Sequence, residues 1–481
     1  MQSNLTAFTT PHFRVLSDDQ MQELHRAGLE VLQRTGVQVD DEEGLELFRK
    51  AGAFVEGNRV RIPVALVENA LRTAPSSVAL WTKDGRRTVV LEDKKTYFGT
   101  GSDAPNIVDS YTGERRPYRK EDVVKGMRLC DYLPHIDFVM SMGLISDVPR
   151  PTSDIHQFEA MLLNTWKPVV FTATSLFNLT KMIDLAVAVA GSLEALQRRP
   201  FACLYAEPIS PLRHDPESVR KVLYMAERNL PVIYCPGMMA GATGPVTLAG
   251  ALVLANAELL SAVTLTQLKR EGAPYIYGGG IMFTDMRSTV PSFGAPEFLM
   301  GLAALAEMGH YYGLPIWGYA GCSDSKALDQ QAAMESVMSI FMAALTGSNL
   351  VHDVCYLESA MASCYEMVVL GNEMIGMVKQ MMKGIEFTAE TMAIEAIDQL
   401  GPTGNYLTAE HTLKHFRKNW YSDLIDRQNY TDWERAGKLT MGERLNRKVQ
   451  DILSSYMPEP FPDNVQRAVR RLIEKTEEEL T

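Results

Sequence analysis

The sequence predicts an α/β chain built on a (β/α)8 barrel, with a mixed α/β cap at its N-terminus and a helical extension at its C-terminus. Short β-rich runs alternate with apolar helical segments, a pattern that favours a parallel sheet, and we count eight such units. The 481 residues exceed the roughly 250 of a simple barrel, which leaves room for additions at both ends. Eight units favour a closed barrel over an open doubly wound sheet.

The cap is predicted at residues 1–95. Its clearest element is a helix at 17–34, where Ser17 and Gln20 form a capping-box pattern ahead of apolar residues at helical spacing. The other predicted pieces are short helices at 41–51 and 63–73, and β-like pieces around Val60, Val78 and Val89.

The barrel is predicted at residues 96–385. Its strand runs are Thr96–Gly99, Ile136–Ile145, Pro168–Thr172, Phe201–Glu207, Pro231–Pro236, Pro274–Gly279, Pro315–Tyr319 and Asn349–Asp353. The clearest helices are Leu252–Leu268, Phe298–Tyr311, Met334–Leu345 and Cys364–Met382. No repeat or low-complexity linker precedes the helix-rich segment 386–481, so we expect that segment to pack on the barrel. Its role would be structural or oligomeric, and we expect a homo-oligomer.

Charge and cysteine content exclude several classes of protein. The net charge of -12 argues against a nucleic-acid partner, because such affinity comes mainly from Lys and Arg. The six cysteines contain no CxxC pair, so neither a zinc ribbon nor a disulfide framework is indicated. The first 20 residues do not have the pattern of a secretory leader, and no run approaches the roughly 20 apolar residues that span a bilayer. We therefore expect a cytoplasmic protein without a membrane segment.

The active site of such a barrel lies at the carboxyl ends of its strands. Aromatic residues and glycines dominate the predicted strand ends. Converging aromatic faces attract a quaternary ammonium group, although the same side chains would also simply fill the top of a barrel. The residues predicted to line the substrate site are Tyr97, Phe98, Tyr205 and Glu207. His352 is predicted to donate a hydrogen bond to a substrate carboxylate, with Arg287 as the alternative anchor. A structural role for His352, satisfied by neighbouring backbone, remains open.

Several kinds of chemistry lack their motifs. The glycine-rich stretch 237–245 does not end in Gly-Lys-Ser/Thr, so phosphate binding is not indicated. No HExxH, His-x-His or His-x-Cys motif occurs, and His352 with Cys355 supplies only two candidate ligands, so we expect no bound metal. No Ser/His/Asp arrangement or assignable pair of carboxylates is recognisable. Attack on the methyl group of a quaternary amine needs only positioning and exclusion of water, because the leaving amine is neutral.

Five sequence blocks together resemble the trimethylamine methyltransferase family. They are CPGMMAGATGPVTLAGALVLANAELLSAVTLTQLKREGAPYIYGG at 235–279, YFGTGSDAPNIVDSYTGERRP at 97–117, GCSDSKALDQQAAMES at 321–336, YLTAEHTLKHFRKNWYSDLIDR at 406–427 and WERAGK at 433–438. The resemblance implies methyl transfer from a methylated amine to the Co(I) corrinoid of a separate small protein, on a barrel scaffold. The residues expected at the approach of this corrinoid are Gly237, Met238, Gly241, Gly278, Gly279 and Tyr319. Glycines also make ordinary turns, and that alternative stays open.

The founding members of the family use pyrrolysine to present trimethylamine. This sequence contains only the twenty standard residues, so the resemblance points to the branch that demethylates quaternary amines, with glycine betaine as the expected substrate and dimethylglycine as the product. Proline betaine, carnitine and γ-butyrobetaine are alternatives, because they share the quaternary head and the carboxylate. A betaine-binding barrel without catalysis is a further alternative of a different class.

Overall fold

The computed structural model describes residues 11–480, and residues 1–10 of the predicted cap and Thr481 of the predicted extension lie outside this range. The N-terminal part contains α1 (Asp18–Arg34), β1 (Val37–Val39), α2 (Glu42–Lys50), β2 (Phe54–Glu56), β3 (Arg59–Arg61), α3 (Val64–Thr73), β4 (Val78–Trp81) and β5 (Thr88–Leu91). The three helices predicted here are confirmed. In α1 both hydrogen bonds of the predicted capping box form between Ser17 and Gln20.

The middle of the chain carries the longest helix and all of the parallel ladders of the centre. Its elements are β6 (Tyr97–Phe98), β7 (Asn106–Val108), β8 (Arg115–Pro117), α4 (Lys120–Tyr132), α5 (Ser153–Leu163), β9 (Val169–Phe171), α6 (Leu176–Ala190), α7 (Leu193–Arg198), β10 (Ala202–Ala206), β11 (Arg213–His214), α8 (Pro216–Glu227), β12 (Val232–Tyr234), β13 (Gly237–Ala240), α9 (Leu248–Lys269), β14 (Tyr275–Ile276), β15 (Gly280–Thr284), β16 (Pro291–Ser292), α10 (Pro296–Tyr312), β17 (Trp317–Tyr319), α11 (Gln330–Thr346), β18 (Leu350–His352), β19 (Tyr356–Leu357), β20 (Ala362–Cys364) and α12 (Tyr365–Met381). The C-terminal elements are α13 (Ala389–Met392), α14 (Ile394–Leu400), α15 (Glu410–His415), α16 (Tyr430–Arg435), α17 (Met441–Ser455) and α18 (Asp463–Leu480).

Parallel pairing connects the central strands. One sheet has the order β14-β12-β10-β9 and a second has the order β17-β18-β6. Single parallel bridges join the two sheets, from Tyr277 to Ile316 on one side and from Gly99 to Phe138 and Val139 to Val169 on the other. The α/β fold is confirmed.

The second predicted strand differs from its prediction. Residues 136–145 do not form a continuous strand, and within the ladder they contribute only the bridges at Phe138 and Val139. Met142 has a φ of 69°, and this left-handed conformation interrupts the extended backbone that a longer strand needs.

Helix α9 corrects the expectation that no apolar run reaches the length of a membrane span. By length and composition its 22 residues suffice to cross a bilayer, but 72% of its most apolar window is buried inside the protein. It is the central packing element of the N-terminal half, since α1, α2, α3, α8 and α10 all pack against it. Burial inside the protein accounts for its apolar surface without a membrane.

Segments from both ends of the chain pack on the middle part. Strand β1 pairs in parallel with β11, and the β4-β5 hairpin approaches the amino ends of the central strands, where Trp81 N–H donates to Pro200 O over 2.8 Å. At the other end, α17 packs on α4 and α12, and α18 packs on α5 and α6. The short helices α13, α14 and α15 contain no buried residue.

Candidate functional site

A cavity of about 450 Å³ lies at the carboxyl ends of the central strands. Strands β10, β17 and β18 contribute residues to it directly, while β6 and β9 contribute the loops that follow them. The lining side chains that carry polar or aromatic groups are Ser102, Asp103, Thr172, Tyr205, Glu207, Ser218, Lys221, Phe293, Tyr319, His352, Asp353 and Tyr356. This is the position where ligands bind in parallel α/β folds.

Aromatic rings form one wall of the cavity around His352. The imidazole stacks on Trp317 with ring centroids 4.2 Å apart, and Tyr319 approaches it at the same centroid distance. Tyr205 completes the cluster at 5.9 Å, and its hydroxyl lies 3.3 Å from the hydroxyl of Tyr319. The faces and edges of several rings are therefore held in fixed positions beside the cavity.

His352 is 6% exposed, and neither of its ring nitrogens has a hydrogen-bond partner among the described residues. Nδ1 lies 2.8 Å from Asp353 Oδ1, but the approach does not have the geometry of a hydrogen bond. A buried polar group without a partner is costly, so the imidazole is available for a ligand. The alternative in which neighbouring backbone satisfies His352 is not what the structure contains.

Three carboxyl groups face the cavity, on Glu207, Asp103 and Asp353. Glu207 opens onto the cavity and accepts a hydrogen bond from the Tyr205 hydroxyl. The side chain is exposed to the cavity, but the protein packed around it partly desolvates the carboxyl group, which raises the pKa of Glu207. Burial likewise raises the pKa of Asp103, although that carboxyl accepts hydrogen bonds from Ser102 over 3.0 Å and Thr172 over 3.3 Å. Both groups are thus held nearer to their neutral form than exposed acids.

Helix α8 contributes Lys221 and Ser218 to the lining of the cavity. The helix begins where the Asp215 side chain accepts the Ser218 N–H and Pro216 occupies the first turn. Ser218 Oγ donates to Glu207 O over 2.8 Å, which fixes the helix against the end of β10. Lys221 lies one turn further along, and its Nζ donates to Ala173 O over 2.6 Å.

Five of the twelve predicted site residues line this cavity, and the other seven do not. Those at the cavity are Tyr205, Glu207, Gly237, Tyr319 and His352. Phe98 is fully buried in the core and Tyr97 lies at the start of β6, so neither lines the cavity. The reason is register, because Phe98 pairs with Val351 and the chain reaches the cavity only at Ser102 and Asp103.

Arg287 also lies away from the cavity. It is exposed in the turn between β15 and β16, where its backbone N–H donates to Asp285 Oδ1 over 2.8 Å. The structure therefore does not place Arg287 as the anchor of a carboxylate.

The glycines of the expected corrinoid approach have different surroundings. At Gly278, where φ is 141°, a Cβ would lie 2.1 Å from Trp317 O, and at Gly279 a Cβ would lie 2.8 Å from Pro236 O. These two glycines are buried and allow adjacent strands to pack, so they do not clear space for a macrocycle. Met238 is also fully buried. Gly241 turns the chain with a φ of 91° beside Met286, and Gly237 alone of this group opens into the cavity.

Asp103, Lys221, Asp353 and Tyr356 line the cavity but were not predicted as site residues. A signal for Lys221 was present, because it lies on the same helical face as Val222 and Met225, which are buried. A lysine on the apolar face of a helix indicates a special role. Within residues 11–480, no group of three or more His, Cys, Asp or Glu side chains has the arrangement to hold a metal ion.

An α/β chain with a partly enclosed cavity at the carboxyl ends of its parallel strands has the architecture of an enzyme that acts on a small molecule. The family described as trimethylamine methyltransferase (MTTB) matches residues 2–481. A trimethylamine methyltransferase of Desulfitobacterium hafniense is 34% identical over 96% of this chain and 94% of its own length. A glycine betaine methyltransferase of the same species is 31% identical over 96% of this chain and 97% of its own length. The chain therefore belongs to the trimethylamine methyltransferase family, as the sequence blocks predicted.

A solved structure supports the same fold. The monomethylamine methyltransferase of Methanosarcina barkeri aligns with a TM-score of 0.54 at 12% identity, over 97% of this chain and 88% of its own.

Proposed function

We propose that the protein transfers a methyl group from a quaternary amine, glycine betaine in the first instance, to the Co(I) corrinoid of a partner protein. The cavity beside His352 would be the substrate site, at the mouth of a (β/α)8 barrel. The observation that carries the proposal is the group of aromatic rings at Tyr205, Tyr319 and Tyr356 in one cavity, because aromatic faces attract a permanent cation. The relative that acts on glycine betaine supports this choice of substrate.

The reaction needs little chemistry from this chain. The C–N bond breaks and its electron pair stays on nitrogen, so the leaving group is dimethylglycinate, whose tertiary amine is neutral. The methyl carbon bonds to cobalt, and the two electrons of the new bond come from Co(I), which becomes Co(III). No proton moves, so the residues of the cavity would position the N-methyl group and exclude water rather than act as acid or base.

The acceptor would approach the open side of the cavity. The strands β13, β15 and β16 follow the central strands at this end, and the exposed side chains Val246 and Met286 lie beside Gly241 at their turns. These apolar side chains and half-buried Gly237 form a rim on which a partner protein would dock. We also retain the division into a cap at 1–95, a barrel at 96–385 and an extension at 386–481 as part of the proposal.

The competing substrates are proline betaine, carnitine and γ-butyrobetaine, which differ in length or shape behind the same head group. A betaine-binding protein without catalysis is the competing function. It would require the same aromatic wall and would never meet a corrinoid partner.

The deciding experiment supplies the chain with a corrinoid protein reduced to Co(I) and with each betaine in turn. We expect the Co(I) spectrum to change to that of methyl-Co(III) with glycine betaine, together with one dimethylglycine released for each cobalt methylated. Omission of the corrinoid protein is the control and should give no dimethylglycine. Binding of betaine without any spectral change, across the corrinoid proteins tested, would favour the non-catalytic alternative. Turnover of trimethylamine in place of betaines would refute the assignment of the substrate class.

A further inference from the structure

Lys221 is a buried cation at the edge of the cavity. It is 8% exposed, and within the described lining of the cavity it is the only lysine or arginine. Burial lowers the pKa of Lys221, while Asp215, Glu217 and Asp154 act in the opposite direction from a distance. A buried ammonium group normally has a counter-ion, because removal of a charge from water is costly.

No such counter-ion contacts Lys221 among residues 11–480. No carboxylate oxygen lies within 4.0 Å of its Nζ, and its hydrogen bond goes to the carbonyl of Ala173. An ammonium group has three N–H donors, so two of them have no acceptor from the described protein.

Two half-buried lysines, Lys83 and Lys167, provide a comparison within the same chain. Lys83 donates to Met161 O over 3.2 Å and to Thr165 O over 2.6 Å, and Lys167 donates to the carbonyls of Cys130 and Leu133. Each of these lysines has two carbonyl acceptors, and neither lines the cavity. Lys221 has one acceptor and lies where a ligand binds. Its hydrogen bonding to the described protein is therefore incomplete at a residue that lines the cavity.

We propose that Lys221 binds the carboxylate of a zwitterionic substrate, while the aromatic wall around Tyr205 and Tyr319 holds the quaternary ammonium end. This inference rests on the proposed function and adds the anchor that Arg287 does not provide. A carboxylate would enter a cavity that already contains the carboxyl groups of Glu207, Asp103 and Asp353, so an ammonium group in the same lining favours its binding. Lys221 thus acts as a specificity-determining residue that selects betaines over amines without an acidic group.

The test compares ligands that share the quaternary head and differ in the carboxylate. Calorimetry with glycine betaine and with tetramethylammonium would be carried out on the wild type, Lys221→Met and Lys221→Arg. We expect Lys221→Met to bind glycine betaine roughly 10- to 100-fold more weakly, since a hydrogen bond to a charged group is lost. Its affinity for tetramethylammonium should stay within about threefold of wild type, or rise, because repulsion of a cation is removed. Lys221→Arg should recover part of the glycine betaine affinity.

Equal losses for both ligands would indicate that Lys221 only supports the Ala173 carbonyl, and an unchanged glycine betaine affinity would also overturn the inference. If thermal unfolding shows that Lys221→Met is not folded, the wild type is tested alone with glycine betaine and choline. Choline has a hydroxymethyl group in place of the carboxylate. The wild type should bind glycine betaine at least about tenfold more tightly than choline. A preference for choline refutes the role of Lys221 but leaves methyl transfer from quaternary amines intact. A wild type that binds neither ligand refutes the proposed function itself, and the inference falls with it.

Discussion

Replacement of Tyr205 by Leu tests the aromatic wall, because Tyr205 contacts most of the other residues in that wall. The Tyr205 ring lies 5.5 Å from Trp317 and 5.9 Å from His352, and its hydroxyl contacts both Glu207 and Tyr319. Leucine keeps an apolar side chain of moderate size and removes the π face. We expect the variant to fold and to bind quaternary ammonium ligands more weakly.

The magnitude follows from the cation–π interaction in a site that excludes water, which is worth about 2 kcal/mol. This corresponds to an increase of about 30-fold in the dissociation constant for glycine betaine. Tyr205→Phe keeps the ring and loses only the hydroxyl contacts with Glu207 and Tyr319, so its dissociation constant should rise by less than about fivefold.

Tyr97→Leu is the matched control. The same aromatic residue is removed, but Tyr97 lies at the start of β6 and outside the lining of the cavity. Isothermal titration calorimetry with glycine betaine should give the wild-type affinity for this variant, with thermal unfolding as the check on folding. An unchanged affinity in Tyr205→Leu would refute the aromatic wall. If Tyr97→Leu loses as much affinity for glycine betaine as Tyr205→Leu, Tyr97 would belong to the binding site, as the sequence alone predicted.

Three further predictions concern the frame around the site. Burial raises the pKa of Glu258 to about 7. Between the ordinary carboxyl pKa and about pH 7, the folded state therefore keeps a proton that the unfolded chain releases. The free energy of unfolding falls as the pH rises through this range. Glu258→Gln should therefore be more stable than wild type near pH 8, by up to about 3 kcal/mol, and show little difference near pH 4 in thermal unfolding. Gly278→Ala should destabilise the protein by about 3 kcal/mol or more, because the added Cβ would meet Trp317 O. Gly272 also has a positive φ but has open space around it, so Gly272→Ala should cost only about 1 kcal/mol. Denaturant titration measures both changes in unfolding free energy. The segment 385–416 exposes Ile394, Leu407 and Leu413 on helices and loops without buried residues. We expect a second copy of the chain to cover these apolar side chains. Replacement of all three by Ser should therefore shift the oligomeric state measured by light scattering towards the monomer.

The helices were predictable because their signals are local. The capping box of Ser17 and Gln20, the apolar face of α1 and the long apolar run of α9 each depend on residues within one or a few turns. The same holds for the alternation of strands and helices, which placed seven of the eight predicted strand runs on observed strands. Neither signal depends on residues distant in the chain.

The cavity was less predictable because strand register is set by distant partners. Strand β6 has only two residues, and its position relative to the cavity is determined by pairing with β18, more than 250 residues later. Phe98 was predicted at the mouth, but its pairing with Val351 leaves it buried in the core, and the chain reaches the cavity only further on, at Ser102. His352 and Tyr319 were placed correctly because both end strands whose boundaries are marked by a buried apolar run.

The charge of the cavity is itself an argument about the reaction. A quaternary amine loses its positive charge as its methyl group leaves, so a site that stabilises the cation too strongly would hold back the chemical step. Ionised carboxylates beside the nitrogen would have this effect. Burial instead raises the pKa of both Glu207 and Asp103, which favours their neutral forms, and aromatic faces attract a cation without carrying a charge. Lys221, which also lines the cavity, would bind a carboxylate whose charge does not change during the reaction. A betaine bound through its carboxylate would stay bound while its nitrogen loses its charge. A simple ammonium ion has no such second contact, so this arrangement favours betaines as substrates.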